Sequence, residues 1–106
     1  MKTDKEQRKA RIPAGRLELA ADVLRVLGHV ARLRLAEILD LGGPLAVHEI
    51  IEQSGLRQAT VSEHLNKMRR AGIIKALRKG REVWYRIDDP RALTLLNCLR
   101  KSESRS

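Results

Sequence analysis

The segment from Val47 to Arg70 reads VHEIIEQSGLRQATVSEHLNKMRR and has the pattern of two short helices joined by a tight turn. In its first half, apolar residues recur at the spacing of one helix face, at Val47, Ile50 and Ile51. The pair Ser54-Gly55 marks the turn between the halves. In the second half, apolar residues recur at positions i, i+4 and i+7, namely Val61, Leu65 and Met68. The segment therefore predicts a helix-turn-helix in which each helix has one apolar face.

The opposite face of the second helix is polar, and its side chains are of the types that hydrogen-bond base edges and phosphates. Its polar positions are Gln58, Thr60, Ser62, Glu63, Asn66, Lys67 and Arg70. His64 lies at the margin of the apolar face, so direct DNA contact and a role in packing or orienting the helix both remain open.

The composition indicates a protein that binds a polyanion. The chain of 106 residues has 22 Lys and Arg against 13 Asp and Glu, which gives a formal net charge of +9. Such a charge suits DNA, RNA or an acidic membrane surface. The chain has two aromatic residues of the Phe, Trp and Tyr types, too few for a single-strand binder that stacks bases. Duplex DNA is therefore the leading partner, and no membrane partner is expected.

The length predicts one domain, for which dimerisation would add stability. A single cysteine, Cys98, excludes a disulfide within the chain, and an apolar helix around it predicts a small buried side chain. No signal peptide or long apolar run is recognised, so we expect a cytoplasmic protein. Residues 1–15 are interpreted as a flexible basic arm, with a solubilising tail as the alternative, and residues 102–106 as a polar tail.

The domain between these ends, residues 16–101, begins with two helices. Residues 16–27 carry two apolar stripes, which need two partners: either the core and a second subunit, or two parts of one domain. Residues 30–41 are apolar over much of the helix surface and predict a central core helix. Pro90 opens a last helix with another apolar stripe. From the first and last helices we predict a dimer interface formed by Leu17, Leu24, Leu95, Leu96 and Leu99.

A β-hairpin with a basic tip is predicted between the helix-turn-helix and the last helix. Residues 74–78 and 82–87 have strand character on either side of Lys79-Gly80-Arg81. Trp84 and Tyr85 are adjacent in the second strand, so we expect them on opposite faces. In DNA-binding proteins such a projection is called a wing. The fold class is therefore mainly α with a small β-hairpin, in the order α-α-α-α-β-β-α.

Three stretches, LGHVARLRLAEIL, VSEHLNKMRRAGII and GREVWYRI, resemble the ArsR/SmtB family of bacterial winged helix-turn-helix repressors. The resemblance covers residues 17–99. Arg32 matches an Arg of the family's Leu-rich helix, and the family's V-S-x-H-L recognition-helix pattern is matched by Val61, Ser62, His64 and Leu65. It implies a homodimer joined through its first and last helices, which represses transcription by binding a palindromic operator with half-sites about 10 bp apart.

The resemblance also implies roles for residues at the DNA. Major-groove contacts are expected from Gln58, Thr60, Ser62 and His64, and contacts of the wing with phosphate or the minor groove from Arg78, Lys79 and Arg81. Lys67 and Arg70 join the expected DNA-binding set on the helix. Arg57 stands where the family often has a capping Ser; it cannot cap, and either contacts phosphate or guanine or is a solvated charge.

The metal sites of the family are not matched. The Cys-Val-Cys stretch of arsenic and cadmium sensors falls on Ala46-Val47-His48. Of the four zinc and nickel ligand positions on the last helix, Asp89 retains a ligand, whereas the others are Arg91, Ser102 and Arg105. A cysteine pair for redox sensing is absent unless two subunits bring their Cys98 residues together. We therefore expect no metal and no cofactor. The effector stays open between a small molecule, a different metal site and none.

Two other functions are alternatives to a sequence-specific repressor. An architectural or adaptor winged-helix protein would bind DNA through charge without sequence preference. An enzyme is not expected, because the chain offers no nucleophile with a base, no paired-carboxylate site and no phosphate-binding loop. Asp88-Asp89 precedes a helix-opening proline and more simply stabilises the start of that helix.

Overall fold

The computed structural model describes residues 10–102, which form five helices and a three-stranded sheet. The elements in chain order are α1 (Ala14–Leu27), α2 (Val30–Gly42), β1 (Leu45–Ala46), α3 (Val47–Ser54), α4 (Gln58–Arg70), β2 (Ile74–Lys79), β3 (Glu82–Ile87) and α5 (Pro90–Lys101). Helix α1 begins two residues earlier than predicted. Most of the predicted arm, residues 1–9, and most of the predicted tail, residues 103–106, lie outside the described residues.

Local capping explains where several helices begin and end. The His29 side chain accepts a hydrogen bond from the Ala31 N–H at the start of α2. Gly43 ends that helix with a positive φ of 71°, which glycine adopts readily. At α5, Asp89 accepts a hydrogen bond from the Arg91 N–H, and Pro90 occupies the first helical position. Both ends of α2 and the start of α5 therefore follow from ordinary start and stop signals.

The sheet contains one strand that was not predicted. Its order is β1-β3-β2, and β1 pairs antiparallel with β3 through Leu45 opposite Tyr85. The hairpin is confirmed, but Lys79 belongs to β2 and pairs with Glu82. The turn therefore contains only Gly80 and Arg81, and Gly80 has a φ of 61°, as two-residue hairpin turns require.

The core joins one face of each helix to the inner face of the sheet. Side chains that are at most 2% exposed come from all five helices, from β1 and from residues 73 and 74 at the start of β2: Leu27, Leu35, Ala36, Leu39, Ala46, Ile50, Val61, Leu65, Met68, Ile73, Ile74 and Ala92. Leu96 of α5 is 5% exposed and belongs to this core. Its side chain is already buried within one protomer, which argues against its predicted place in a dimer interface.

Helices α1 and α5 keep exposed apolar side chains on their outer surface. Leu17 and Leu24 on α1 are 52% and 53% exposed, and Leu99 on α5 is 48% exposed. Leu95 is half-buried against the core. Cys98 is exposed, so the expectation of a buried thiol is wrong: residue 98 faces away from the stripe of Ala92 and Leu96 that meets the core. These side chains leave an apolar surface open along the two helices.

Candidate nucleic-acid interface

The turn between α3 and α4 is built by three local hydrogen bonds and one glycine. Gly55 has a left-handed φ of 71°, and its N–H donates to the carbonyl of Ile51 at 3.0 Å. The Ser54 hydroxyl donates to that same carbonyl and accepts from the Leu56 N–H, each at 3.2 Å. Because α4 begins only three residues after Gly55, this short turn fixes the position at which α4 crosses α3.

Helix α4 packs by its apolar face and leaves the other face to solvent. Val61, Leu65 and Met68 are at most 1% exposed. Of the predicted DNA-binding residues, Gln58, Lys67 and Arg70 are exposed and Thr60 and Ser62 are half-buried. Arg69, which the sequence interpretation left out, is also exposed on this helix, and its position beside Arg70 gave the signal. The helix thus offers one polar and basic surface.

Arg57 directly precedes α4 and is exposed. Within the described chain its side chain makes no capping hydrogen bond, as expected for an arginine. The first N–H groups of α4 therefore point outward at the positive end of the helix dipole, with a guanidinium beside them. This end of the helix favours an anion such as a phosphate.

His64 lies on the buried side of α4, which argues against the predicted direct base contact by its ring. Its side chain is in the protein interior, and the residue is 8% exposed. The ring atom Nδ1 accepts a hydrogen bond of 3.1 Å from Nε of Arg32 on α2. The ring centroid of His29 lies 4.7 Å from that of His64. The alternative raised for this residue, packing or orienting the helix, is the one its surroundings favour.

The environment of His64 disfavours its charged form. Burial lowers the pKa of His64 below its usual value of 6.5, and the nearby His29 and Arg32 lower it further. The neutral ring is also the form whose Nδ1 can accept from Arg32. At neutral pH the ring is therefore an uncharged acceptor within the protein.

The wing carries the second predicted group of DNA-binding residues. Arg78, Lys79 and Arg81 are all exposed at the end of the hairpin. Nζ of Lys79 lies 5.7 Å from the ring centroid of Trp84 on the next strand, within the range of a cation–π contact. Tyr85 packs against the core on the opposite face. The basic tip of the hairpin is therefore attached to a sheet whose inner face packs against the core.

Residues at the positions of the family's metal sites make other interactions. Asp89 accepts from both the backbone N–H and the guanidinium of Arg91, at 2.9 Å and 3.1 Å. Nε2 of His48 lies 3.5 Å from a carboxylate oxygen of Glu82 on the surface. Over residues 10–102 no group of three or more His, Cys, Asp or Glu side chains is gathered in a metal-binding arrangement. Position 105, the last of the family's four zinc and nickel ligand positions, lies outside the described residues.

Residues 29–76 match the family described as bacterial regulatory protein, arsR family. The transcriptional repressor PagR of Bacillus anthracis is 36% identical to this chain over 83 residues, which are 78% of this chain and 83% of PagR. The chain belongs to the ArsR family of bacterial regulatory proteins. The resemblance drawn from the sequence is therefore confirmed.

Solved structures of ArsR-type regulators share the fold. The crystal structure of PagR has a TM-score of 0.75 at 34% identity and covers 82% of this chain and 99% of PagR. The repressor BigR from Xylella fastidiosa has a TM-score of 0.73 at 31% identity, over 95% of this chain and 94% of BigR. The domain of Mb0332 from Mycobacterium bovis, described as a homodimeric winged helix-turn-helix DNA-binding domain, has a TM-score of 0.70 at 28% identity, covering 82% and 80%.

These likenesses confirm the predicted winged helix-turn-helix. By their names, these ArsR-family relatives are transcriptional regulators. In this ArsR-family chain, none of the helices within residues 10–102 is both long and apolar enough to cross a membrane.

Proposed function

We propose that this protein is a sequence-specific transcriptional repressor of the ArsR type, which acts in the cytoplasm and binds duplex DNA as a homodimer. The observation that carries the proposal is the surface of α4, where polar and basic side chains stand on a helix whose other face is fully buried. A helix of this kind, following a tight turn, fits the major groove. The repressor names of its relatives support the same role.

The DNA-binding residues fall into two groups with different tasks. Base contacts are assigned to the start and middle of α4, at Gln58, Thr60 and Ser62. Phosphate or minor-groove contacts are assigned to the exposed cations Arg57, Lys67, Arg70, Arg78, Lys79 and Arg81. In this assignment Arg57 adds a charge where the open N–H groups of α4 already favour phosphate.

The proposed dimer uses the exposed leucines of α1 and α5, namely Leu17, Leu24, Leu95 and Leu99. A two-fold axis would place two copies of α4 in successive major grooves, so the operator should be an imperfect palindrome with half-sites about 10 bp apart. The binding and dimerisation domain in this proposal comprises residues 16–101 together with residues 14 and 15, which belong to α1. Residues 1–13 form a basic arm and residues 102–106 a tail.

We further propose that the two family metal sites are lost. The residues present do not fit such an ion: at the first site Ala46 has no donor atom, and at the second Asp89 is already bonded to a cationic Arg91. The effector that releases the DNA is not assigned by these residues.

The test is a titration of the full chain against duplex DNA from upstream of its own gene and against a scrambled duplex, at near-physiological salt. We expect strong preference for the upstream duplex and no change on adding zinc, nickel or cobalt. Equal affinity for both duplexes, together with failure on a wider set of genomic fragments, would contradict sequence-specific repression and favour the architectural function. Release of the DNA by any of the three metals would contradict the loss of metal sensing.

A further inference from the structure

Arg32 joins three parts of the molecule through two hydrogen bonds. Its Nε donates to Nδ1 of His64 in α4 at 3.1 Å, and its Nη1 donates to the carbonyl of Val26 in the last turn of α1 at 2.9 Å. Both bonds are partly buried, and Arg32 itself belongs to the first turn of the central helix α2. A single guanidinium therefore connects the helix that reads DNA to the helix proposed for the dimer.

We propose that Arg32 and His64 are positioning residues, whose contact fixes α4 in the orientation that DNA binding needs and is released when His64 gains a proton. The inference rests on the proposed function, because it concerns how the same DNA-binding helix is held. It assigns no DNA contact to either residue.

The contact between Arg32 and His64 adds a directional hydrogen bond, which the apolar packing of α4 lacks. Val61, Leu65 and Met68 hold the helix to the core through burial, which is not directional. His64 is the buried polar side chain on this face, and the planar guanidinium offers donors in a fixed geometry. A bond between the two fixes rotation and sliding of α4 relative to α1 and α2. Because base contacts tolerate little displacement, this orientation sets the affinity for the operator.

A proton on His64 removes this bond. Nδ1 would become a donor facing the Arg32 guanidinium, so the hydrogen bond would be replaced by repulsion between two cations. The charged groups around the ring are His29 and Arg32 from α2 and its cap, with Lys67 and Glu63 on α4 itself. Of these, Glu63 alone favours the protonated ring. Acid therefore frees α4 from Arg32.

The direction of the pH effect separates this role from direct DNA contact. A histidine that bonded to a phosphate would bind DNA more tightly as it gained charge in acid. A histidine that holds α4 through its neutral form would bind more weakly in acid. The two roles predict changes of opposite sign in the same experiment.

The experiment measures the dissociation constant for the preferred duplex from pH 7.5 to pH 5.5 for the wild type and three variants. His64→Asn keeps an acceptor oxygen near the place of Nδ1 but does not titrate, so we expect affinity close to wild type at pH 7.5. His64→Leu removes the acceptor. Arg32→Lys keeps the charge but loses the guanidinium that donates to both His64 and Val26. Each of these two should bind about tenfold more weakly, the loss typical of one hydrogen bond to a charged group.

The decisive quantity is the ratio of the wild-type dissociation constant to that of His64→Asn. Both proteins keep His29 and His48, so other histidine charges cancel in this ratio. We expect it to rise at least about threefold between pH 7.5 and 5.5, while circular dichroism at each pH confirms that both proteins stay folded. If His64→Leu does not fold, this ratio still decides the matter.

A constant ratio would overturn the inference, and a falling ratio would overturn it in favour of direct DNA contact by the ring. Either result, seen with a wild type that prefers the upstream duplex over the scrambled one, leaves the proposed function intact. If the wild type shows no preference for the upstream duplex, the proposed function is contradicted instead. The ratio of the two dissociation constants can then be measured on any duplex and still tests the contact between Arg32 and His64.

Discussion

At the scale of single residues, His64 makes stability depend on pH. The pKa of His64 in the folded protein is lowered below 6.5 by burial and by His29 and Arg32. Below about pH 6.5 the unfolded chain therefore binds this proton more readily than the folded chain does. The contribution of the neutral His64 ring to the free energy of unfolding is present in full above about pH 6.5. It is lost as the pH falls through the pKa of His64 in the folded protein. We therefore expect the melting temperature of the wild type to fall between pH 7 and pH 5.

Two variants show whether His64 causes this fall. His64→Asn cannot take up the proton, so its melting temperature should fall less over the same pH range. His48→Gln removes an exposed imidazole at the surface and should behave like the wild type. Thermal unfolding followed by circular dichroism measures all three proteins. Parallel curves for the wild type and His64→Asn would contradict the assignment.

The residues of α4 illustrate what the sequence can and cannot predict. The polar positions from Gln58 to Arg70 followed from helical spacing, because the apolar stripe is strong. His64 lies one position before Leu65, at the edge of that stripe, and spacing alone leaves its direction undecided. Its hydrogen-bond partner Arg32 is 32 residues away in the sequence. A long-range contact of this kind leaves no local pattern.

At the scale of elements, α4 and the wing should respond differently to substitution. Arg81→Ala removes a cation from the wing tip and should weaken binding to operator and scrambled duplex by similar factors. It should also lower the salt slope, d log K against d log salt, by about one. Gln58→Ala removes a base contact and should reduce the preference for the operator by about 5- to 150-fold, or roughly 1–3 kcal/mol. Titrations of both duplexes at several salt concentrations measure both quantities.

Arg25→Ala is the matched control, since it removes the same charge from α1, where Arg25 pairs with Asp22. It should leave the salt slope closer to wild type than Arg81→Ala does. Arg57→Ala should resemble Arg81→Ala if Arg57 binds phosphate, and should change the operator preference if it binds guanine. If Arg81→Ala and Gln58→Ala altered specificity equally, the division of tasks between wing and helix would be wrong.

The elements were predictable where their pattern was long enough. The five helices and the hairpin each extend over enough residues for their apolar spacing or alternation to be visible in the sequence. Strand β1 has two residues, Leu45 and Ala46, which is too short for any period to appear. It exists because β3 offers a free edge beside it, and only the folded sheet brings that edge to residue 45. Tertiary pairing created this element.

At the scale of the whole molecule, the exposed apolar surface of α1 and α5 favours a protein that acts as a dimer. Half-exposed leucines at positions 17, 24 and 99 are costly to leave in water and are an expected surface for a second copy. The sequence predicted this surface from two apolar stripes on α1, but assigned Leu96 to it. Leu95, Leu96 and Leu99 lie on one stripe of α5, and only the packing of α5 on the core determines which of these leucines is buried.

Leu24→Glu tests whether this surface joins two protomers. Leu24 is 53% exposed, so a carboxylate there can reach water in a monomer, and the protomer should keep its helical circular dichroism. In a dimer it would place two like charges in an apolar interface. We expect sedimentation velocity to give a dimer for the wild type and a monomer for Leu24→Glu at micromolar concentration. Leu77→Glu, at an exposed leucine of β2, should remain dimeric.

The same variant links assembly to DNA binding. A dimer binds its second half-site from an effective concentration set by the first, so its affinity for a palindrome far exceeds that of one protomer for one half-site. Leu24→Glu should therefore lose about 100-fold or more in affinity for a full palindrome, while its affinity for an isolated half-site stays near that of the wild type. A folded monomer that still bound the palindrome with wild-type affinity would mean that one copy of α4 suffices. In that case the leucines of α1 and α5 would serve a contact other than the one that places two copies of α4 on DNA.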